Sequence, residues 1–307
     1  MPSEGARQTS VWVLETGQPG GIGPAHALAG RLGCTFLRLK DAQLREEDWP
    51  LPGLILTAGV KAGLAGLSLR RKMQVPVVHC GMRGAATLAF SRLFDETVLS
   101  AFHPYETTNV HVIPVLGPLS VVSPELYERA GRLWQERLEH LPQPRIAVRL
   151  ESGWNAVNEE VVTAGRQLEM ALRTFGGSIL IAVGASVPNE MVESFVNALG
   201  SCFKLVWRHG EPDDDPSLGF IACADAVIVY GSRISTLVEV AASSLPVFLG
   251  HVPGRLGAYG RFARSLIEQD NIRVFDSDFS PWPRKPLDEA GRVAFIIKRR
   301  FALLESI

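Results

Sequence analysis

The sequence predicts an α/β protein in which two parallel sheets follow one another along the chain. Its 307 residues are too many for a single ordinary core, and a chain of this size fits two domains of about 150 residues each. Short β-rich runs alternate with longer segments of helical period, which is the pattern of parallel strands joined by crossover helices. The alternation stops at the proline-rich segment 141–145 and then starts again. We therefore predict two Rossmann-like domains in tandem.

These runs place the individual elements along the chain. Strands are predicted at residues 11–15, 34–39, 53–57, 75–79, 97–100 and 110–115 before the break, and at 145–150, 178–183, 203–207, 226–230, 246–249 and 272–275 after it. Helices are predicted at 24–32, 61–72, 124–141 and 287–304. Ser123 and Pro124 are typical of a helix cap and of the first helical turn, so they mark the start of the third helix.

The break defines the expected domains. We expect an N-terminal Rossmann-like domain over residues 1–142 and a C-terminal nucleotide-binding-type domain over residues 143–286. The last helix, within residues 287–307, is expected to pack back on the first domain. In such an arrangement the carboxyl edges of both sheets face a shared central cleft, which is where ligands of open α/β sheets bind.

Composition excludes several classes of protein. A net charge of -1 gives no basic field for nucleic acid. The opening residues 1–7 lack the apolar core of a secretory signal, and the apolar runs are too short or too broken to span a bilayer. We expect a cytoplasmic protein without a transmembrane segment. The sequence leaves open both peripheral membrane association and the oligomeric state.

The cysteines suggest neither a metal site nor a disulfide framework. All four lie far apart in the sequence and form no C-x-x-C pair. They are Cys34, Cys80, Cys202 and Cys223. We therefore expect free thiols and no bound metal.

The most informative segment runs from Asp215 to Pro246 and encodes helix, strand, polar glycine turn and helix in that order. Ser232, Ser235 and Thr236 fall where the strand gives way to the helix, so hydroxyls and free backbone N–H groups converge at the positive end of a helix dipole. That arrangement suits an anion, and Glu239 one turn further along suits a ribose diol. The alternative is structural: Ser232 or Ser235 caps the helix and Glu239 closes a capping box.

This segment resembles the donor-nucleotide segment of GT-B glycosyltransferases, including the peptidoglycan GlcNAc transferase. The resemblance lies in the Ala224-Asp225 entry to the strand, the Gly231-Ser232 turn, and the runs 235–241 and 245–247. More closely, the chain resembles the bacterial members of the Elm-type mitochondrial fission protein family, which have a GT-B-like organisation. That likeness covers residues 11–23, 58–69, 116–124, 218–246, 260–266 and 281–300, and it is sharpest at 281–294. It implies that residues 231–236 cradle a diphosphate and that Glu239 holds a ribose.

The chain also departs from that family at the ends of three strands. The family's first turn usually reads like S-D-G-R-P-G-H-E-N-Q, whereas residues 15–24 here lack its Asp, His, Glu and Asn side chains. Residues 150–155 replace a glycine-rich turn and put Glu151 where a phosphate would approach. The family's glutamine and proline are missing from 78–83, where His79 and Arg83 either line the cleft or, for His79, serve as a structural group.

Two main hypotheses follow. In the first, the protein is a metal-independent glycosyltransferase or related nucleotide-sugar enzyme, with the nucleotide sugar as substrate and no resident cofactor. Its donor-site candidates are Gly20, Gly21, Gly231, Ser232, Arg233, Ser235, Thr236, Glu239 and Arg261. Arg233 and Arg261 would stabilise the leaving diphosphate, and Glu15 and Glu151 are the candidate catalytic bases.

In the second hypothesis, the protein has the GT-B fold without catalytic activity, and it binds a protein partner or modulates another enzyme. The altered first turn favours it. A third interpretation takes Gly21-x-Gly23 as a dinucleotide fingerprint with Asp41 as the ribose acid. We rank it lowest, because His26 stands at the position of the last glycine.

Overall fold

The structure is a computed structural model that describes residues 10–15, 23–34, 36–39, 51–80, 90–100, 110–154, 158–174, 176–251, 257–301 and 303. The described residues separate into two compact units. The first comprises those within Met1–Val121 and Asp288–Ile307, and the second those within Val122–Leu287. Each unit contains a six-stranded sheet in which all neighbouring strands are parallel. The predicted α/β class with two parallel sheets is confirmed.

The sheet of the first unit has the strand order β2-β1-β3-β4-β5-β6. Its strands are β1 (Val11–Glu15), β2 (Phe36–Leu39), β3 (Leu54–Ala58), β4 (Val77–Cys80), β5 (Glu96–Ser100) and β6 (Val112–Val115). The helices of this unit with both ends among the described residues are α1 (Pro24–Leu32), α2 (Val60–Met73) and the C-terminal α9 (Glu289–Arg300). Helices cover both faces of this sheet. Successive residues of β1 and β3 point to opposite faces and pack against apolar side chains on each, so both strands are continuous apolar runs in the sequence.

The sheet of the second unit has the order β12-β11-β10-β7-β8-β9. Its strands are β7 (Arg145–Leu150), β8 (Ser178–Val183), β9 (Phe203–Arg208), β10 (Ala226–Tyr230), β11 (Val247–Leu249) and β12 (Arg273–Val274). Its helices are α3 (Pro124–Leu138), α4 (Asn158–Arg173), α5 (Asn189–Ala198), α6 (Ser217–Ala222), α7 (Ile234–Ala241) and α8 (Gly257–Glu268). Among the described residues, none of the helices combines the length and the apolar character that a membrane span requires.

The division between the units differs from the boundary predicted after residue 142. The side chain of Ser123 caps α3 as predicted, accepting a hydrogen bond from the Leu126 N–H. This helix nevertheless belongs to the second unit, because Leu138 is buried with Leu180 and Phe220 of that unit's core. At the other end of the chain, α9 packs on α1 in the first unit.

A single guanidinium ties the tail of the second unit to the C-terminal end of α7. Arg284 donates to the carbonyl oxygens of Ala241, Ser243 and Leu245, each at 2.6 Å, and to the carbonyl and side-chain oxygens of Asn271 at 2.8 and 3.1 Å. Burial lowers the pKa of Arg284 to about 10. A cation here satisfies helix-end carbonyls and complements the negative end of the helix dipole.

We expect Arg284→Ala to destabilise the second unit by roughly 2–4 kcal/mol, because it leaves several partly buried carbonyl oxygens without a donor. The measurement is the urea unfolding transition of that unit. Arg173→Ala is the matched control, since Arg173 is largely exposed and forms its ion pair with Glu169 one turn away; its effect should stay within about 0.5 kcal/mol. Equal midpoints for the two variants would contradict the role given to Arg284.

His79 is a structural group inside the first unit. It is 0% exposed, and its Nδ1 is hydrogen-bonded to the Thr57 hydroxyl at 2.7 Å. Its ring stacks on Phe94 with 4.6 Å between centroids, and Gly63 of α2 packs against the ring edge. Burial lowers the pKa of His79 to about 4. Arg83, the other cleft candidate of that turn, lies outside the described residues.

The pH dependence of the first unit's stability should report this burial. Unfolded His79 binds a proton below about pH 6.5 whereas folded His79 stays neutral down to about pH 4, so its contribution is present above pH 6.5 and lost as the pH falls between these values. Between pH 7 and pH 4.5 the wild type should lose about 2–3 kcal/mol more than His79→Gln in denaturant unfolding. His140→Gln, at an exposed site, should follow the wild type.

Candidate functional site

The candidate site lies at the carboxyl edge of the second sheet, where two neighbouring strands end. β7 and β10 pair in parallel with Leu150 opposite Tyr230. The turns that follow them are joined by two backbone hydrogen bonds, from Glu151 N to Tyr230 O at 2.8 Å and from Ser232 N to Ser152 O at 3.0 Å. Residues that are about 80 positions apart in sequence are thereby brought into one cluster.

Two glycines allow these turns to approach so closely. Gly231 has a φ of +119°, and a Cβ on it would lie 2.4 Å from the Glu151 carbonyl oxygen. Gly153 has a φ of +83°, and a Cβ there would lie 2.0 Å from the Ser232 hydroxyl. Both positions therefore exclude a side chain, by backbone conformation and by lack of space. Ser232 in turn donates to the Gly153 carbonyl at 3.2 Å.

The N-terminal end of α7 has no side-chain cap. The residue before the helix is Arg233, whose backbone is extended, and the first turn contains no acidic residue. Ser235 accepts a hydrogen bond from Arg233 Nε at 3.1 Å, and Ser232 contacts the neighbouring turn. The alternative in which Ser232 or Ser235 caps this helix is therefore wrong. The first backbone N–H groups of α7 keep the capacity to bind an anion.

Glu151 lies at this helix end. Its side chain is 1% exposed, and its Oε1 accepts from the Thr236 hydroxyl at 2.9 Å and from Arg149 Nη2 at 2.7 Å. The other oxygen, Oε2, has no hydrogen-bond donor among the described residues, and Arg233 Nη1 lies 3.7 Å from it. Gly184 packs against Oε2, since a Cβ at that glycine would lie 2.3 Å from it.

Glu239 lies on the same helix and is half-buried. Burial raises the pKa of its carboxyl group, an effect that the charges of Arg149 and Arg233 oppose and that of Glu151 reinforces. The Tyr127 hydroxyl of α3 donates to its backbone carbonyl at 2.7 Å. Glu239 is thus close enough to Arg149, Glu151 and Arg233 for their charges to act on it.

The structure describes two further predicted site residues, Glu15 and Arg261. Glu15 belongs to the first unit, where its Oε1 accepts from the His26 N–H at the start of α1 at 3.0 Å. Arg261 is exposed on α8. Gly20, Gly21 and also Asp41, the ribose acid of the dinucleotide interpretation, lie outside the described residues. The roles of Glu15 and Glu151 as bases stay predictions.

Sequence reasoning missed Arg149 and an aromatic group beside the turn. Arg149 is the one charged residue in the interior of the otherwise apolar β7, and that interruption was the available signal. The rings of Tyr230 and His251 lie 4.7 and 6.1 Å from that of Trp154, centroid to centroid. The spacing of these residues does not predict their contact, because they lie at or after the ends of three different strands, β7, β10 and β11.

Over the ranges that the structure describes, no three His, Cys, Asp or Glu side chains come together as a metal site. The cysteines are free; Cys80 is buried and burial raises the pKa of its thiol. The charged groups described at the candidate site include Arg149, Glu151, Arg233 and Glu239, on or beside β7 and α7. Arginines with an open helix end suit an anionic group, and a carboxylate suits a diol or another donor.

The two parallel sheets define a protein of the GT-B fold class, and solved structures agree. UDP-GlcNAc 2-epimerase from Neisseria meningitidis, solved bound to UDP-GlcNAc, is similar over 96% of this chain and 100% of that chain, with 11% identity and a TM-score of 0.56. UDP-GlcNAc 2-epimerase from Methanocaldococcus jannaschii is similar over 95% of this chain and 100% of that chain, with 10% identity and a TM-score of 0.53.

The sequence matches the family model described as "Mitochondrial fission ELM1" over residues 14–301. The chain therefore belongs to the mitochondrial fission ELM1 family. Mitochondrial fission protein ELM1 of Arabidopsis thaliana is 26% identical over 207 residues, which is 65% of this chain and 48% of that relative. The match thus spans about half of the relative's length.

Gly231→Ala tests whether the close approach of the two turns builds the site. The added methyl has no room beside Glu151 and the backbone conformation is strained, so we expect a loss of roughly 2–4 kcal/mol in the free energy of unfolding of the second unit. Gly176→Ala is the control, because Gly176 also has a positive φ of +68° but open space around its Cβ position; we expect about 1 kcal/mol there. Comparable losses in the two variants would argue against the tight turn.

Proposed function

We propose that the second unit binds a nucleoside diphosphate sugar at the turn between β10 and α7, and that the protein is a metal-independent glycosyltransferase or related nucleotide-sugar enzyme. The observation that carries the proposal is the N-terminal end of α7, which has no side-chain cap and follows the turn at Gly231 and Arg233. Such a helix end offers backbone N–H groups and a positive dipole to a phosphate. The bound UDP-GlcNAc named for the Neisseria epimerase gives a precedent in a similar fold.

Each part of the ligand has a candidate partner. The diphosphate would lie at the first turn of α7, where the 54% exposed side chain of Arg233 would turn towards it from Ser235 and Glu151. Glu239 would accept hydrogen bonds from the ribose diol. During transfer, the helix end and Arg233 would stabilise the negative charge that grows on the leaving diphosphate. These groups supply that stabilisation without a metal ligand.

Two carboxylates are candidates for the catalytic base of this reaction. Glu151 already accepts two hydrogen bonds at Oε1, so Oε2 is the atom that would take a proton. Glu15 is engaged by the His26 N–H at the start of α1. We propose these two carboxylates as the candidate bases, each requiring a substrate hydroxyl within about 3 Å.

A second candidate function is a non-catalytic protein that binds a protein partner or modulates another enzyme. The observation that favours it is the Glu151 carboxylate, which fills space near the helix end that a phosphate would otherwise use. The family name points to mitochondrial fission rather than to a sugar transfer. Under this hypothesis the fold persists while the second unit takes no nucleotide sugar.

A thermal-shift screen of UDP, GDP, CMP and ADP sugars separates the two functions. Donor binding should raise the unfolding midpoint for one nucleotide class, since ligand at 100 times its Kd stabilises the folded state by about 2.7 kcal/mol. Glu239→Ala should abolish the shift, because it removes the proposed ribose contact. Glu268→Ala, on the exposed end of α8, should retain it. A folded sample that responds to none of the nucleotide sugars would favour the binding-protein function.

A further inference from the structure

Glu151 places the protein's own carboxylate at the N-terminal end of α7, where the proposed function needs the phosphate of a ligand. Thr236, in the first turn of α7, donates to Oε1 at 2.9 Å. With 1% of its side chain exposed, this carboxylate is removed from the screening effect of water. An anion that enters the site therefore meets a negative charge that is already in place.

The carboxylate also competes for the cation that a phosphate would use. Arg233 Nη1 lies 3.7 Å from Oε2, and Nε of the same guanidinium donates to Ser235. Oε2 has no hydrogen-bond donor among the described residues. Arg233 is thus attracted to Glu151 without being bonded to it, so a ligand is able to draw it away.

Glu151 has little freedom to withdraw. The backbone of Gly231 is packed against its carbonyl group and that of Gly184 against Oε2, and Arg149 holds Oε1 from the strand side at 2.7 Å. Arg149 is itself only 12% exposed. The negative charge is therefore a fixed part of the site, in contrast to the half-exposed guanidinium of Arg233.

We propose that Glu151 is an internal counter-anion that determines how strongly this site binds phosphate. It competes with a nucleoside diphosphate for Arg233 and for the positive end of α7, and its removal strengthens the binding of that ligand class. This inference rests on the proposed function for the location of the ligand, but it makes a separate prediction about the direction in which one substitution changes affinity.

The test is isothermal titration of UDP into the full chain and into Glu151→Gln. Gln keeps the size and an acceptor oxygen for Thr236 while it removes the charge, so we expect the Kd for UDP to fall at least tenfold. Uridine, which has no phosphate, should bind both proteins equally. Asp270→Asn is the matched control, because it also removes one negative charge but lies before β12, at the amino edge of the sheet. It should leave the Kd for UDP unchanged.

Because Glu151→Gln leaves the buried Arg149 without its charged partner, Arg149→Met/Glu151→Gln is measured alongside it. This pair carries no unpaired buried charge, and it should also bind UDP more tightly than the wild type because Arg233 is released. UDP affinity that is unchanged or lower in the folded variants overturns the proposal, as does an equal gain for uridine. Binding by Glu151→Gln but not by the wild type would refute donor binding by the native chain and support the counter-anion; no binding by either refutes both.

Discussion

The candidate site depends on the fixed position of α7, and tertiary hydrogen bonds hold that helix at both ends. At its C-terminal end, Arg284 bonds three carbonyl oxygens that the helix and its following turn leave without donors. At its N-terminal end, Thr236 is bonded to Glu151 and so to the end of β7. A short helix of eight residues has little stability of its own, so tertiary bonds set its direction and hence where its free N–H groups point.

The same physical device occurs in both units. Glu15 ends β1 and accepts from the N–H of His26 in the first turn of α1, while Glu151 follows β7 and accepts from Thr236 in the first turn of α7. In each case a carboxylate from the carboxyl edge of the sheet meets the positive end of a helix. These contacts stabilise the local structure, and they also place negative charge where open α/β sheets bind their ligands.

Much of the fold was readable because parallel strands buried on both faces are continuous apolar runs. β1, β7 and β10 have the predicted bounds, and so has α1. The domain boundary was harder to predict from the sequence. The prolines after α3 mark the end of a helix, but the unit in which Leu138 packs depends on Phe220, far along the chain. The sequence analysis named Thr236 and Glu239 from the turn and helix segment that contains them, and their roles stay predictions. It did not name Arg149, because an arginine in a strand carries no information about its partner.

The sequence by itself determined the alternation of strands and helices, the glycine turn after β10 and the residue types available at that turn. It also placed a carboxylate after β7, through the identity of residue 151. Only the tertiary structure decided that this carboxylate contacts Thr236 and Arg149, and that neither Ser232 nor Ser235 caps α7. The physical reason is the parallel pairing of β7 with β10, which brings together two turns that are remote in sequence. The turns approach so closely that neither Gly153 nor Gly231 has room for a side chain.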